Sequence, residues 1–492
     1  MIKDLEKTNT QKSSIKDDFK KTILYISSEV QPFCSTGGLA DVAGSLPKRL
    51  KALYPECDIR VVLPLYKNTK IDRSKLTYVS NTYVNLSWRK EYCGVLSYQM
   101  DNVIYYFIDN ERYFKRDGYY GYNDDPERFA FFSRSILDIL PIIDFYPEII
   151  HVNDWQSALV PVYLKTYTWK DARYNNIKTI LTIHNIIYQG RFGMGVLNDI
   201  LGIDNKHASL LTHHGDVNFL KASMLTADKV VTVSQSYAKE IQTIEGGNGL
   251  DDIARSISHK LVGIVNGLDY SFYNPTLDKV IWNNYDCNNL ENKAKNKEEL
   301  QKFFGLEVNP KAPILSIVSR LVKNKGLDLV RSVLENVLNS TDAQFVAVGE
   351  GEREYEDYFK YLNSKYPSRV HVSLGFSVEI GKKIYSGSDI FLMPSISEPC
   401  GISQMIASKY GAVPIVREVG GLKDTIKDFG CPNGGNGYTF YNCSSSDFEY
   451  SIRRAINDYH GKNWIEKVRI AMNMDFSWDR SINNYVNLYK EI

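Results

Sequence analysis

The sequence lacks the cysteine pattern of a metal-binding or disulfide-bonded protein. Its seven cysteines are odd in number and scattered over 492 residues, and no C-x-x-C pair occurs. Structural zinc sites and disulfide frameworks are built from paired or closely spaced cysteines. We therefore expect neither, and the composition favours a reducing compartment, the cytoplasm.

Membrane and export signals are also missing. No apolar run in the sequence is long enough to span a bilayer. The first twenty residues are polar and include Asp4, Glu6, Asp17 and Asp18. They have neither the apolar core of a signal peptide nor the acid-poor composition of a transit peptide. We interpret residues 1–20 as a mobile polar tail and expect no membrane partner.

An excess of one charge sign is absent as well. Lys and Arg together number 59 and Asp and Glu 58, which gives a net charge of +1. Nucleic-acid binding normally needs a basic excess or stripe, so we expect no nucleic-acid partner. A local basic pocket for one phosphate group is compatible with this balance.

What the chain does have is the composition of a globular enzyme, with 43% hydrophobic and 24% charged residues. Its length exceeds what one hydrophobic core usually spans, so two domains are expected. β-branched runs alternate with longer helical patterns, which is typical of parallel βαβ architecture. The runs lie at residues 22–28, 59–66, 104–110, 149–154, 178–185 and 229–234, and then at 313–321, 344–349, 369–376, 389–395 and 413–417.

The two series of runs predict an α/β protein with two doubly wound domains that face each other across a cleft. We place the N-terminal domain at residues 21–265 and the C-terminal domain at 276–470. The linker between them, residues 266–275, contains Gly267 and an Asn-Pro pair, which break regular structure. Ligands in such sheets bind beyond the carboxyl ends of the strands, so the residues after each run are the site candidates.

Two glycines, Gly37 and Gly38, follow the first run and precede a helical pattern. Paired glycines at such a junction let the backbone approach an anion, and the free N–H groups of a first helical turn attract phosphate. Glycines at this position also serve tight turns. The local pattern supports both interpretations.

Three candidate side chains follow the next runs: Asp154 and Trp155 after the fourth, and His184 after the fifth. Adjacent strand ends would bring them to one point in the cleft. Asp and His can bind sugar hydroxyls or transfer a proton, and Trp offers a ring face. For any one of them, a strand-end cap, a buried ring or a hydrogen-bonded histidine is the simpler interpretation.

The second half begins with two cations at a strand-to-helix junction. Arg320 ends a run and Lys325 follows five residues later. Such a pair suits a diphosphate, since Arg binds it bidentately and Lys acts as a point charge. Solvated charges on a surface loop explain the pair equally well.

Glu398 stands directly before Pro399, Cys400 and Gly401, between a hydrophobic run and a helical pattern. Its carboxylate can accept hydrogen bonds from hydroxyls or stabilise positive charge. Helix capping is the alternative role, although Ser or Asp would cap better. We interpret Cys400 as a small packed residue rather than a nucleophile.

A second Gly-Gly-Leu junction occurs at Gly420 and Gly421, with Thr425 close behind. Two anion-binding loops, one in each domain, predict a diphosphate clamped between them. The sequence shows no cluster of Asp and His suited to a divalent ion, so we expect no metal and no other cofactor.

In their order and spacing, these segments resemble the bacterial glycogen synthases and the plant starch synthases, from about residue 22 to the end. The resemblance rests on Tyr106-Phe107-Ile108-Asp109-Asn110-Glu111, Tyr120-Gly121-Tyr122, Glu127-Arg128-Phe129-Ala130, Thr182-Ile183-His184-Asn185, Phe219-Leu220-Lys221-Ala222, Val265-Asn266-Gly267-Leu268-Asp269, Ser319-Arg320-Leu321, Glu398-Pro399-Cys400-Gly401 and Phe476-Ser477-Trp478-Asp479.

This resemblance implies a GT-B fold of two Rossmann-like domains, in which the C-terminal helix, within residues 471–492, returns to the N-terminal domain. It implies transfer of glucose from ADP-glucose to the non-reducing end of an α-1,4-glucan, with retention at the anomeric carbon and without a metal. The N-terminal domain would carry the acceptor side and the donor loop, and the C-terminal domain would bind the nucleotide sugar.

The resemblance also implies residue roles. Catalytic roles go to Glu398 at the donor glucose, to Arg320 and Lys325 at the diphosphate, and to His184 and Asp154. The predicted substrate-binding residues, with Phe376 beside the adenine, are Ser35, Gly37, Gly38, Asp41, Asn266, Phe376, Cys400, Gly401, Gly420, Gly421 and Thr425. Ile406 stands where the wider superfamily has a second acid.

One departure from the family pattern affects the donor loop. The family usually has Lys-Thr-Gly-Gly-Leu, and here Ser35 stands in place of the lysine. The loss of a charge-assisted contact to the donor phosphate is worth about 1.5–3 kcal/mol. This departure leaves two alternatives: a synthase that uses UDP-glucose, and a catalytically weak glucan-binding or regulatory relative. The retained Arg320, Lys325 and Glu398 argue against the second, and a glucan phosphorylase does not fit a chain this short without a pyridoxal-lysine signature.

Overall fold

Short β-branched and aromatic runs form the strands of the first half of the chain. The computed structural model describes residues 19–375 and 377–492. The strand bounds are β1 Thr22–Ile26, β2 Asp58–Pro64, β3 Thr77–Leu86, β4 Arg89–Met100, β5 Val103–Asp109, β6 Ile149–Asn153, β7 Lys178–Ile183, β8 Arg191–Phe192, β9 Thr212–His213, β10 Asp216–Asn218, β11 Lys229–Thr232 and β12 Leu261–Gly263.

Within the described residues, these strands form a nine-stranded sheet of order β12-β11-β7-β6-β1-β2-β5-β4-β3 and a three-stranded sheet of order β8-β10-β9. β1 pairs in parallel with β2 and β6, so that Ile23 lies between Ile59 and Ile149. At the other edge β3 and β4 pair antiparallel, with Tyr83 opposite Tyr92. This hairpin was not predicted, because β3 is mostly exposed and has no continuous apolar run.

The second half forms a parallel sheet of its own. Its strands are β13 Ile314–Val318, β14 Gln344–Gly349, β15 Val370–Leu374, β16 Ile390–Met393, β17 Val413–Arg417 and β18 Tyr438–Phe440. In the part of the chain that the structure describes, their order is β15-β14-β13-β16-β17-β18. The change of direction at β13 and β16 places their carboxyl ends at a topological switch point, where ligands bind in such folds.

Helices follow the strands in the βαβ manner. Their bounds are α1 Gly38–Leu53, α2 Glu111–Phe114, α3 Asp125–Asp138, α4 Leu159–Thr166, α5 Ala208–Leu211, α6 Phe219–Thr226, α7 Gln235–Glu240, α8 Ile244–Gly247, α9 Asp251–Ser256, α10 Glu291–Phe304, α11 Leu327–Ser340, α12 Arg353–Lys365, α13 Val378–Gly387, α14 Ser403–Lys409, α15 Gly420–Thr425, α16 Ser445–Tyr459, α17 Trp464–Asn473 and α18 Trp478–Lys490. Val330, Val333 and Val337 share one face of α11 and join the buried cluster that contains Leu315 and Phe345.

The chain divides into two compact units. The first comprises the described residues up to Thr182, Ile187–Val230 and Ile482–Ile492, and the second comprises Ile183–Ile186 and Val231–Ser481. These units are defined by which residues contact one another, and this does not test where a domain begins or ends along the chain. The domain bounds 21–265 and 276–470 therefore stay predictions. Residues 1–18 of the predicted tail lie outside the described residues.

The end of the chain belongs to the first unit, as the resemblance implied for the C-terminal helix. Tyr489 is buried there. Its ring stacks on Phe19 at 6.2 Å, and its hydroxyl lies 2.8 Å from Nδ1 of His151. Phe19 is itself buried, so the chain is already packed at a residue that the tail prediction included.

Two motifs of the resemblance pack against each other in the second unit. The amide of Leu268 donates to the carbonyl oxygen of Phe476 at 2.6 Å. A Cβ atom on Gly267 would lie 2.4 Å from the Cα of Trp478, so only glycine fits this approach. The contact fixes Asn266, the residue before this glycine, at the start of the predicted linker.

The α/β prediction is confirmed, since each predicted run contains a strand. Among residues 19–375 and 377–492, no helix has both the length and the apolar character needed to cross a bilayer.

Candidate active site

The glycine loop of the first unit leads from β1 into α1. Gly37 has φ −177°, an extended conformation that any residue adopts. A Cβ atom on Gly37 would meet no described atom within 4 Å. Within the described residues no side chain caps the helix start. In the first turn of α1 the Ala40 amide donates to the carbonyl oxygen of Gly37 at 3.1 Å. A helix start without a side-chain cap, here at Gly38, suits an anion.

The buried carboxylate of Glu29 holds this loop. Oε1 accepts hydrogen bonds from Oγ1 of Thr36 and from the hydroxyl of Tyr120, both at 2.7 Å, and Oε2 accepts from the Thr36 amide. Burial, and then the charge of Glu29, raise the pKa of the Asp41 carboxyl to about 6. An anion at this loop therefore has two carboxyl groups nearby, and Ser35 offers no cation to offset them.

Asp154 follows β6 in a strained backbone conformation, with φ 53° and ψ −175°. This region is populated almost entirely by glycine, and such residues cost about 1–3 kcal/mol. The neighbouring Trp155 packs against Phe129, with ring centroids 5.0 Å apart, and against Phe192 at 5.7 Å. The aromatic packing supports the strained turn, and strain of this kind is concentrated at functional sites.

His184 follows β7 and belongs to the second unit. Its ring is half-buried. Burial lowers the pKa of the His184 imidazole to about 3. The neutral ring has one donor and one acceptor nitrogen. This arrangement suits a hydrogen bond to a sugar hydroxyl and gives no positive charge for a phosphate.

A cavity of about 160 Å³ in the second unit lies at the carboxyl ends of β13 and β16. Both predicted cations, Arg320 and Lys325, line it, together with Ser319, Ser395 and Ser403. Arg320 is exposed. It lines a cavity whose hydroxyl groups and cations are suited to bind a phosphate group.

Glu398 lies in the loop after β16 and is 7% exposed. Its Oε2 accepts from Nζ of Lys325 at 2.6 Å and from Oγ of Ser395 at 3.1 Å. An ammonium has three donors, so Lys325 keeps two for another acceptor. The fold thus joins two predicted catalytic residues that are 73 positions apart in the chain.

Asn266 contacts Cys400, which belongs to the same loop as Glu398. Burial raises the pKa of the Cys400 thiol to about 12, while hydrogen bonds from Asn266 act in the opposite direction. A thiol that stays protonated fits the interpretation of Cys400 as a packed residue. Within the described residues, the buried Oδ1 of Asn266 has no hydrogen-bond partner. Buried acceptors are normally satisfied, so a ligand hydroxyl is a suitable partner.

The structure shows protein partners for the amides of Gly420 and Gly421, where anion binding was predicted. The Gly420 amide donates to Oε1 of Glu240 at 2.7 Å. The Gly421 amide donates to the carbonyl oxygens of Glu398 and Pro399, both at 3.1 Å. Protein acceptors already occupy both amides, so the glycines serve the close packing of α15 on the Glu398 loop.

The other predicted contacts are placed as follows. Thr425 is buried, and its hydroxyl donates to the carbonyl oxygen of Gly421 at 2.7 Å and accepts from Nε2 of Gln404 at 3.1 Å. These bonds give Thr425 a packing role in α15. Gly401 adopts φ 74°, a left-handed conformation that favours glycine. Phe376 lies outside the described residues.

Sequence reasoning missed Glu29 and Arg417. Glu29 is a buried acid just after the first strand, a position that could have identified it. The Arg417 guanidinium donates to the carbonyl oxygens of Ser395 and Ile396, at 3.1 and 2.6 Å. This support of the Glu398 loop has no local signal, because it depends on the packing of two separate strand ends.

The structure therefore brings Arg320, Lys325, Glu398, Cys400 and Asn266 together in the second unit. Ser35, Gly37, Gly38 and Asp41 form the loop of the first unit. Across the described ranges, no group of three or more His, Cys, Asp or Glu side chains is placed to hold a metal ion.

Comparisons show that the chain is similar to known glycosyltransferases over most of its length. The family model described as "Starch synthase catalytic domain" matches residues 22–256, and "Glycosyl transferases group 1" matches residues 298–470. The glycogen synthase of Clostridium botulinum (strain Alaska E43 / Type E3) is 45% identical over 476 residues, which are 96% of this chain and 99% of that protein. The glycogen synthase of Bacillus cereus (strain ATCC 10987 / NRS 248) is 44% identical over 477 residues, with the same shares.

Among solved structures, the catalytic domain of starch synthase IV from Arabidopsis thaliana, bound to ADP and acarbose, aligns with a TM-score of 0.87 at 31% identity. The alignment covers 96% of this chain and 99% of that chain. Sucrose-phosphate synthase from Thermosynechococcus elongatus, at 15% identity and a TM-score of 0.60, shares the fold. These matches confirm the GT-B fold and a glucosyltransferase activity. The chain belongs to the glycogen synthase family.

Proposed function

We propose that this glucosyltransferase moves glucose from ADP-glucose to the non-reducing end of an α-1,4-glucan, with retention at the anomeric carbon. The observation that carries the proposal is the 2.6 Å contact of Lys325 with Glu398, beside a cavity that Arg320 also lines. Transfer from a nucleoside diphosphate sugar needs cations for the diphosphate and polar groups for the sugar. This site offers both within one loop cluster.

Arg320 and Lys325 bind the diphosphate and stabilise the leaving group. Negative charge grows on the departing phosphate as the glycosidic bond breaks. Fixed cations offset this charge without reorganising, and the loss of one such donor typically costs about 100- to 1,000-fold in turnover.

Glu398 contacts the donor glucose and offsets the positive charge of an oxocarbenium-like transition state. The acceptor 4-hydroxyl attacks the face from which the nucleotide leaves and passes its proton to the departing phosphate oxygen, so that configuration is retained by front-face substitution. Glu398 is held by Lys325 and Ser395, which suits an electrostatic role better than attack on carbon. Detection of a glucosyl-enzyme by mass spectrometry would contradict this route.

Three further residues are proposed to contact the sugar. The neutral imidazole of His184 hydrogen-bonds to a donor-glucose hydroxyl, and the buried, unsatisfied Oδ1 of Asn266 accepts from another. Asp154, the acid after the fourth predicted strand, is the third proposed sugar contact. Its strained backbone conformation supports a functional position.

Donor recognition is proposed to involve the loop of Ser35, Gly37, Gly38 and Asp41, with Phe376 beside the adenine. ADP in the starch synthase IV structure supports an adenine nucleotide donor. Ser35 supplies no cation to the phosphates, so we propose that donor affinity is lower than a lysine at this position would give.

The test is incorporation of labelled glucose into glycogen from ADP-glucose and UDP-glucose in parallel. Glu398→Gln removes the carboxylate charge, and Glu245→Gln, at an exposed position, is the matched control. We expect transfer from ADP-glucose that collapses in Glu398→Gln and persists in Glu245→Gln. We expect Ser35→Lys to lower KM for the donor by roughly 10-fold, within the range of one charge-assisted contact.

Each other outcome selects an alternative. Preferred use of UDP-glucose would replace the proposed donor. If neither donor gave transfer of glucose while the protein still bound glycogen, the result would support a glucan-binding protein without activity.

We also infer a cytoplasmic location. All seven cysteines are free of disulfides, and free cysteines, two of them exposed, suit a reducing compartment. Recovery of the native protein in a secreted fraction would contradict this inference.

A further inference from the structure

Two hydrogen-bonded contacts join α7 to α15 within the second unit. The amide of Ser236 donates to Oδ2 of Asp424 at 2.8 Å, and its hydroxyl donates to Oδ1 at 2.6 Å. Four residues later, Oε1 of Glu240 accepts from the amide of Gly420 at 2.7 Å. Ser236 and Glu240 lie one helical turn apart, so one face of α7 is hydrogen-bonded to α15 near both of its ends.

The start of α15 is packed against the backbone of the Glu398 loop. A Cβ atom on Gly420 would lie 2.0 Å from the carbonyl oxygen of Glu398, and one on Gly421 would lie 2.2 Å from that of Cys400. The Gly421 amide donates to the carbonyl oxygens of Glu398 and Pro399, both at 3.1 Å. No side chain separates the two segments, so a shift of α15 moves the Glu398 backbone directly.

Charge supports the same contact. Burial raises the pKa of the Glu240 carboxyl, while the Gly420 amide and the Arg417 guanidinium favour its charged form. Arg417 also donates to the carbonyl oxygens of Ser395 and Ile396 in the Glu398 loop. Glu240 and the loop therefore share one cation.

We propose that Ser236 and Glu240 are positioning residues for Glu398. They hold α15, α15 holds the Glu398 and Pro399 carbonyl groups, and this backbone sets the carboxylate that pairs with Lys325. Neither Ser236 nor Glu240 lines the cavity, so both act through other residues. The inference rests on the catalytic role proposed for Glu398.

This arrangement separates turnover from donor binding. Arg320, the cation proposed to bind the diphosphate, follows β13 and not the Glu398 loop, so it keeps its place when α15 shifts. The Glu398 carboxylate loses its alignment with the sugar. A misplacement of about 1 Å in such a group costs up to about 100-fold in rate.

The experiment compares Glu240→Ala, Glu240→Gln and Ser236→Ala, with the exposed Glu245→Ala as the matched control. For each variant, kcat and KM for ADP-glucose, the affinity for ADP and the thermal midpoint are measured. We expect Glu240→Ala to lower kcat by roughly 10- to 100-fold, with KM and ADP affinity within about twofold of the parent. Glu240→Gln keeps an acceptor oxygen for the Gly420 amide and should recover most of the rate. Ser236→Ala keeps its amide bond to Asp424 and should lie between the two.

Several results would overturn the inference. Unchanged kcat in Glu240→Ala, or equal losses in Glu240→Ala and Glu240→Gln, would show that the Gly420 contact does not position Glu398. A lower thermal midpoint with full kcat per folded molecule would show a structural role alone. Absence of transfer by the parent enzyme itself would instead overturn the proposed function, and the positioning role with it.

Discussion

Nζ of Lys325 lies 2.6 Å from Oε2 of Glu398, and both side chains are largely buried. A turn after β13 and a loop after β16 meet in this contact. Each group compensates the charge of the other, and removal of either leaves an uncompensated charge in a poorly hydrated place. In the proposed site, the donor diphosphate meets a lysine that is already paired, so it shares Lys325 with the carboxylate while Arg320 supplies a second cation.

Lys325→Met should lower kcat by roughly 100-fold or more, as expected for the loss of a fixed donor. Stability should also fall, because a broken buried pair costs about 3–5 kcal/mol. The double variant Lys325→Met with Glu398→Gln should regain stability without activity. Steady-state kinetics and calorimetry check this, with the exposed Lys323→Met as control. Full activity in Lys325→Met would contradict the site.

Gly326 and Gly305 allow a matched comparison of steric fit. Both have left-handed backbone, with φ 73° and 68°. A Cβ atom would lie 2.0 Å from the carbonyl oxygen of Pro394 at Gly326 and would meet nothing within 4 Å at Gly305. Gly305→Ala should cost only the left-handed conformation, about 1–2 kcal/mol. Gly326→Ala should cost more and also lower kcat, because Lys325 is its neighbour. If Gly326→Ala and Gly305→Ala changed the thermal midpoint to the same extent and kcat to the same extent, this prediction would be refuted.

Asp41 should make stability depend on pH. Burial, followed by the charge of Glu29, raises the pKa of its carboxyl from 3.8 to about 6 on folding. Between these values the folded state binds more protons than the unfolded state, so stability falls as pH rises from about 4 to about 6 and stays reduced above that. Asp41→Asn should therefore raise the thermal midpoint at pH 7 and lose this advantage near pH 4. The exposed Asp252→Asn should show no such pattern, and a constant difference for Asp41→Asn would count against the burial of this carboxyl.

His184 should stay neutral in the folded enzyme down to about pH 5. Burial lowers the pKa of its imidazole from 6.5 to about 3. The unfolded state then binds the extra proton first, so this group reduces stability as pH falls below about 6.5. NMR titration of the ring, assigned by its absence in His184→Asn, should show no change between pH 8 and pH 5. A midpoint near pH 6.5 would show an open, hydrated ring.

The parallel sheets were predictable because their strands are buried on both faces and read as continuous apolar runs. β16, Ile390–Met393, is an example, with all four residues buried. The hairpin of β3 and β4 escaped prediction because most residues of β3, such as Tyr83, are exposed. The residue types of the site were equally readable: Arg320, Lys325 and Glu398 follow strands, where a parallel sheet presents its ligands.

The sequence by itself determined the two α/β sheets, the strand ends that carry polar side chains and the family to which these motifs belong. Tertiary structure alone decided that Lys325 pairs with Glu398, and that the Gly420 amide donates to Glu240. Those partners are 73 and 180 positions apart in the chain. The local sequence pattern reports propensity and periodicity over a few residues. Which loops contact each other depends on how whole strands and helices pack, and the short segments that come into contact carry no sequence signal of that packing.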